Sequence, residues 1–286
     1  MDSYRPWMLI GGYQMHQEKI LILAKTYPAP SGRYDEIACV AGINENGEMR
    51  RLYPIKFRFL DDEQQFKKWQ WITARVNKAP KDHRPESHNI DADSLECGRQ
   101  VETGGNWESR RSWLDRIPTF ENEDQLEEAR KTSQTTLALL YPLADVRLEI
   151  TPTKNQDWTP EERERLSRHE HGDLFRPEMV NVPILRKVPF DFHYKYIVKG
   201  LGGIEKEQKH KIVDWEACRL YWRCRNDYGQ RWEEYFRKKL ELDLGGRDLM
   251  FLMGTMHRFP DQWLIVSLIY PPKREPGFEA QGRLFD

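Results

Sequence analysis

Apolar and polar positions alternate in short bursts along the first third of the chain. "KILILAKTY" (19–27) is apolar and rich in β-branched residues, "DEIACVAGI" (35–43) follows, and "EMRRLYPI" (48–55) comes after "NENG" (44–47). Two apolar runs around an Asn/Gly-rich link predict a β-hairpin. "WQWITARVNKA" (69–79) predicts a further strand. Several strands with short links and no long helix between them predict a small antiparallel sheet, curled into a barrel-like unit, rather than a doubly wound parallel sheet.

From Asn106 the period changes. "NWESRRSWLDRI" (106–117) and "ENEDQLEEARKTSQTTLALL" (121–140) place apolar residues near helical spacing, and "DVRLEITPT" (145–153) predicts a strand. "TPEERERLSRHEH" (159–171) opens with Thr159 as N-cap, Pro160 at the first helical position and Glu162 three residues after the cap. That is a capping box on a polar, surface helix. "VPFDFHYKYIV" (188–198) alternates as a strand, and "GLGG" (200–203) reads as a hairpin turn. In "VDWEACRLYWRCRNDYG" (213–229) Asp214 is the N-cap and Trp215, Cys218, Tyr221, Trp222 and Arg225 follow a three-and-four spacing that predicts one buried aromatic stripe. "QRWEEYFRKKLELDLGG" (230–246) predicts a second helix, and "RDLMFLMGT" and "QWLIVSLIYPP" two apolar strands joined by "MHRFPD". No internal repeat is visible. The fold class is α+β, with a β-rich, barrel-like part over residues 1–105, helices packed on an antiparallel sheet over 106–272, and a flexible tail over 273–286.

Composition narrows this picture. Of 286 residues, 32% are charged and 12% aromatic, with 10 Trp, so the chain is globular rather than disordered. The formal net charge of -1 leaves room for a basic face balanced by acidic residues elsewhere. Cys39, Cys97, Cys218 and Cys224 form no C-x-x-C pair and predict a reduced, cytoplasmic setting without a disulfide framework. No segment is long and apolar enough for a membrane span, and no leader is visible.

The candidate chemistry falls in four places. In "MRRLYPIKFRF" (49–59), Arg50, Arg51, Lys56 and Arg58 interleave with Tyr53, Phe57 and Phe59. Such strands suit nucleic acid, because aromatics stack on bases and cations meet phosphates. The same alternation also fits a core-facing set of Tyr53, Ile55, Phe57 and Phe59 with solvated cations opposite. "KDHRPESHN" (81–89) gathers Arg84, a bidentate anion anchor, with Glu86 and His88, candidate proton carriers; it reads equally as a solvated loop with an internal Arg–Glu pair. Glu216, in the first turn of the "DWE" helix, is a catalytic candidate if it faces a cleft and otherwise a helix-dipole residue. At the C-terminus Gln281, Leu284 and Phe285 have the Q-x-x-L-F spacing, which looks like the short motif that docks bacterial DNA-acting proteins on the sliding clamp; Leu284 and Phe285 packing back on their own domain is the alternative. His169 and His171 diverge on their helix. No metal-ligand spacing, phosphate-cradling glycine loop or nucleophile elbow occurs, so no metal and no cofactor are expected.

"RLYPIKFR", "DHRPES", "KTSQTTLALLYP", "DWEACRLYWRC" and "FLMGTMHRFPDQWLIV" together resemble a bacterial and archaeal protein family of unassigned mechanism, whose genes neighbour DNA-modification and phage-defence loci. Some relatives carry extra cysteines before the "DWE" element, where this chain has only His210. The resemblance implies a DNA-associated protein of such a system, a deazaguanine-type modification system being one concrete form. It would act on a base by metal-free acid/base chemistry of a hydrolase kind, or serve as a non-catalytic adaptor recruited to the clamp or another protein by its tail. DNA is the expected partner. All of this leans on the cations of the 49–59 strand and Arg84 lining one shared trough.

Overall fold

The computed structural model describes residues 9–10, 13–32, 35–167 and 182–274. Five strands build the N-terminal unit: β1 (His16–Lys25), β2 (Asp35–Asn44), β3 (Met49–Ile55), β4 (Gln70–Lys78) and β5 (Ser87–Gln100). β1 pairs with β4 through its first half and with β2 through its second, so the ladder closes on itself in the order β1–β4–β5–β3–β2–β1. All pairings are antiparallel except β3 with β5, where Arg51 lies opposite Ser87 and Leu52 opposite His88. Ala29–Ser31 adds a short edge strand on β2. The β2–β3 hairpin turns at the "NENG" link as its sequence predicts, with Gly47 at φ 86°. β5 begins inside the segment read as a loop; its first residues pair on both sides, which the Pro-flanked, polar sequence does not announce. β1 and β2 meet at Gly42, where a Cβ would lie 2.5 Å from the Leu21 carbonyl oxygen, so the close approach needs glycine.

The remainder is a seven-stranded sheet with helices. Its strands are β6 (Leu137–Leu140), β7 (Ala144–Pro152), β8 (Phe190–Lys199), β9 (Glu205–Ile212), β10 (Met250–Thr255) and β11 (Trp263–Ile269), with Thr119–Phe120 at one edge. The order is β7–β8–β9–β11–β10–β6, and β9 with β11 is parallel. The helices are α1 (Glu108–Leu114), α2 (Glu123–Ser133), α3 (Pro160–Ser167), α4 (Trp215–Tyr228) and α5 (Trp232–Arg237), the last continuing as a π turn over Lys238–Asp243. "TTLALL", read with the preceding helix, is instead strand β6: the helix stops at Gln134 in the left-handed region, and the four apolar residues after it are buried in the sheet. The capping box of α3 forms as predicted, with Glu162 N donating to Thr159 Oγ1 and Thr159 N to Glu162 Oε2.

Taken with the break at Tyr141–Leu143, β6 and β7 occupy the place of β1. β6 pairs with β10, as the first half of β1 pairs with β4; β7 pairs with β8, as the second half pairs with β2. Both units therefore trace one circuit, 1-2-3-5-4-1, with the third and fifth strands parallel. α4 and α5 lie in the second unit where two short 3-10 turns lie in the first.

Three apolar clusters hold the molecule together. One fills the first ring, from Ile20, Ile22, Leu52, Ile72 and Val76. Another packs α4 and α5 on the second sheet through Tyr194, Tyr196, Tyr221, Phe236 and Phe251. The third is the seam: Leu21, Leu23, Ala41 and Ile43 from the outer face of β1 and β2 meet Leu139, Met250, Leu252 and Ile269 of the second sheet. β1 is thus buried on both faces, which explains why "ILILA" is continuously apolar rather than alternating. The two units share a core.

Candidate nucleic-acid interface

The cations of the 49–59 segment do not share a trough. Arg50 grips Glu18 (Nη2–Oε1 2.8 Å) and Glu48 (2.6 Å). Lys56 pairs with Asp35 at 2.8 Å, and Arg58 Nε with Glu36 at 2.8 Å. Of the core-facing set considered above, Ile55 and Phe57 do point into the ring, joined there by Leu52, whereas Tyr53 is exposed and Arg51 is buried on the seam side. The reason is that β3 is covered on both faces over its first half.

Arg51, Arg84 and Glu86 do come together, but inside the protein. Arg51 Nε and Nη2 each lie 3.2 Å from Glu86 Oε1, and Nη2 also donates to the Thr136 carbonyl at 3.1 Å. The Thr136 hydroxyl donates to the same carboxylate oxygen. Arg84 is held by Asp82 (Nε–Oδ1 2.9 Å) and reaches the Thr255 carbonyl at 2.7 Å. Asp82 sits far below the usual carboxylate range because the bidentate Arg84 contact outweighs its burial. These bonds tie the β4–β5 loop to β6 and β10 and fasten the two units. His88 is buried, its Nδ1 2.9 Å from the Glu86 carbonyl oxygen, and burial lowers its pKa. Glu86 and His88 line neither of the cavities described below.

Those two cavities lie side by side along the outer face of α4. α4 starts where Asp214 accepts from Glu216 N (2.6 Å) and Ala217 N (3.1 Å) with one oxygen and from Leu268 N (3.0 Å) with the other. Asp214 so fixes the helix start against β11. Ala217, Cys218, Tyr221 and Cys224 face the core. Glu216, Arg219 and Arg223 form the opposite, exposed stripe at i, i+3 and i+7. Trp215 and Trp222, placed by periodicity in the buried stripe, are half-buried at its border and wall the cavities.

The first cavity, about 390 Å³, lies at the start of α4 and is bordered by Lys25, Lys67, Lys68, Arg219, Arg223 and Lys239, against the carboxylates of Asp214 and Glu216. Lys25 Nζ donates to the Phe66 carbonyl at 2.8 Å and stands 3.6 Å from the Phe57 ring centroid. Burial pulls its pKa down to about 8, against the pull of Glu216 and Asp214. Lys68 Nζ donates to the Leu268 carbonyl at 2.6 Å and lies 3.7 Å from Glu216. The second cavity, about 350 Å³, shares Trp215, Arg219 and Arg223 and adds Tyr27, Arg58, Arg186 and Trp222. The Arg186 guanidinium stacks 3.6 Å from the Trp222 ring centroid, and Trp222 Nε1 donates to the Tyr27 hydroxyl at 3.2 Å. Among the described residues, the side chains of Lys67, Arg219 and Arg223 form no ion pair, unlike those of Arg50, Lys56 and Arg84.

Two residues singled out in the sequence thus border this groove: Glu216 the first cavity and Arg58 the second. The sequence reading missed Lys25, Lys67, Lys68, Arg186, Arg219 and Arg223. The unbalanced cations on the polar face of α4 were the available signal. A second cationic surface is the open face of β7–β8–β9, but there Lys195 and Lys209 both pair with Glu149, and Lys211 pairs with Asp191. Gln281, Leu284 and Phe285, with His169 and His171, lie outside the described residues. Among the described residues no cluster of His, Cys, Asp and Glu could hold a metal, and no helix is long and apolar enough to cross a membrane.

The fold and groove define an α+β protein of two β-rich units with a basic, aromatic-walled cleft along one helix. Residues 16–116 match the domain of unknown function DUF8758, and residues 120–286, more than half of the chain, match the domain of unknown function DUF8757. The chain belongs to the DUF8757 family. Among curated proteins none matches it. Among solved structures, a chain from a replication protein A heterotrimer bound to single-stranded DNA is similar at 9% identity over 96% of this chain, with a TM-score of 0.39. This chain spans 52% of that one, and a score so low assigns neither fold nor function.

Proposed function

We propose that this protein is a DNA-associated, nucleic-acid-binding protein that holds a single strand in the groove along α4. The observation that carries the reading is the coincidence, in two adjoining cavities, of unneutralised Lys67, Arg219 and Arg223 with the half-buried rings of Trp215 and Trp222. Cations that track a phosphate backbone beside aromatic faces that stack bases are the shared physics of single-strand binding. The strand circuit supports it: 1-2-3-5-4-1 with parallel third and fifth strands is the connectivity of the five-stranded oligonucleotide- and oligosaccharide-binding barrel. Such barrels usually bind on the face of their second and third strands. Here that face of the first unit is spent on the seam, through Ala41, Ile43 and Arg51, and on the corresponding open face of the second unit, across β8 and β9, the lysines are paired with Glu149 and Asp191. The context proposed is the DNA-modification or phage-defence setting that the family resemblance implies. If chemistry occurs, Glu216, at the mouth of the first cavity, is the proton-transfer group to test.

Fluorescence anisotropy with labelled single- and double-stranded oligonucleotides at varied salt tests the reading. Tight single-strand binding that weakens steeply with salt is expected, with a loss of at least about tenfold in the Arg219→Glu/Arg223→Glu variant, given the phosphate share of affinity. Retention of full affinity by that variant, with loss instead in Lys195→Glu/Lys209→Glu, would move the site to the open β7–β8–β9 face and overturn the groove assignment.

A further inference from the structure

We propose that the cavity at the start of α4 is an end-recognition pocket that seats the terminal phosphomonoester of a nucleic-acid strand. The proposal rests on the reading of the α4 groove as nucleic-acid-binding and goes beyond it in naming the group recognised.

Three features separate this cavity from the rest of the groove. The first is charge. Six cationic side chains border it against two carboxylates, and Lys239 is paired with Asp243 beyond the lining at 3.2 Å, which still leaves a positive excess. Asp214 accepts from three backbone amides, and Glu216 faces Lys68 at 3.7 Å. A phosphomonoester carries a charge of about −1.5 to −2 at neutral pH, whereas each backbone diester carries one, so a concentrated positive excess favours the strand end.

The second feature is burial. The Lys68 side chain is 10% exposed, and Lys25 is covered by Phe57, Phe66 and Trp215. The two ammonium groups come from different elements, β1 and the turn before β4, and each keeps one backbone carbonyl partner, leaving donors to spare. Lysine is the point-charge phosphate binder, and low local dielectric strengthens its pull.

The third feature is shape. The cavity's volume falls in the range of small-ligand pockets, about 300–1,000 Å³. Leu240, Leu244 and Leu268, with Tyr270, add apolar surface to its lining, which the second cavity's lining has only at Leu185, Tyr27 and its two tryptophans. A strand entering from the second cavity, past Trp222 and Trp215, meets Arg219 and Arg223 along its backbone and ends at Lys25 and Lys68.

The test uses the full chain and four matched single-stranded oligonucleotides: 5′-phosphorylated, 3′-phosphorylated, hydroxyl at both ends, and circular. One phosphorylated species should bind at least about tenfold tighter than the hydroxyl and circular ones, as expected for about two extra charge-assisted bonds. Lys68→Gln should erase that preference, lowering affinity for the phosphorylated oligonucleotide at least about fivefold more than for the hydroxyl one. Lys67→Glu, at an exposed position, should reduce the preference in a variant whose core is untouched. Equal affinity for all four species, still lost in Arg219→Glu/Arg223→Glu, overturns end recognition and leaves the groove standing. No binding of any oligonucleotide overturns both. Competition by a nucleoside monophosphate at least as strong as by the phosphorylated oligonucleotide would make the ligand a free nucleotide and overturn the strand-end assignment.

Discussion

Arg51 of β3 and Glu86 at the end of the β4–β5 loop, 35 positions apart, meet at 3.2 Å in the buried seam, where the same guanidinium also reaches the Thr136 carbonyl of the second unit. An ion pair so placed couples the closing of the first ring to the docking of the second sheet. Removing one partner strands a charge in a water-excluded site. Glu86→Ala is expected to cost about 3–5 kcal/mol in unfolding free energy. Arg51→Met/Glu86→Leu should recover most of that loss, because no charge is left without its partner. Chemical denaturation of the three proteins checks this; a loss below about 1 kcal/mol for Glu86→Ala would assign the pair to the weak surface class.

Asp214 is a structural residue on this geometry. Its carboxylate satisfies two amides at the start of α4 and one on β11. Asp214→Ala forfeits the cap, worth about 1 kcal/mol, and leaves the buried Leu268 amide without its acceptor, about 1–3 kcal/mol more. Asp214→Asn retains one acceptor oxygen and should lose less. Thermal unfolding should rank wild type above Asn above Ala; equal stability of all three would contradict the assignment.

Trp222 and Trp232 stand on opposite sides of the functional question. Trp232 is buried among Tyr221, Phe190 and Phe236, while Trp222 is half-exposed under Arg186. Trp222→Ala should weaken single-strand binding by about 1–3 kcal/mol, the worth of one base–aromatic stack, with little change in melting temperature. Trp232→Ala should unfold the helical layer, at about 3–5 kcal/mol. Intrinsic fluorescence quenched by the oligonucleotide in wild type and not in Trp222→Ala would locate the contact.

Lys25 gives the groove a pH dependence. Its folded pKa of about 8 lies below the usual lysine value of about 10.4, so between those limits the unfolded chain binds more protons. The cost of keeping this charge buried is in full force below about pH 8 and is relieved as pH rises toward about 10.4, so its contribution to stability improves with pH across that window. Anion binding moves the other way. Affinity for the phosphorylated oligonucleotide should fall as Lys25 loses its proton above about pH 8. Lys25→Met should flatten both trends; an unchanged pH profile in that variant would remove Lys25 from the site.

Much of the fold was legible along the chain. β8 announces itself by the alternation of Phe192, Tyr194 and Tyr196 with Asp191, His193 and Lys195, and α4 by Asp214 before its first turn and Gly229 after its last. The candidate site was legible only at Glu216 and Arg58. The interleaved cations of 49–59 looked like a binding strand, yet Glu18, Glu48, Asp35, Glu36 and Glu86, all distant or unremarkable in sequence, consume them. Arg219 and Arg223 looked like an ordinary solvated helix face, and proximity to Lys25, Lys67 and Lys68 makes them a groove.

The sequence by itself determined the local elements, because turn chemistry, caps and the two hydrophobic periods act over a few residues. Only the tertiary structure decided that β1 would close one ring and cover a second sheet at once, and that Arg51 would be sealed while Arg219 stayed open. A period tells which side chains share a face; what comes to lie against that face, and whether an opposite charge arrives with it, depends on chain segments far away in sequence.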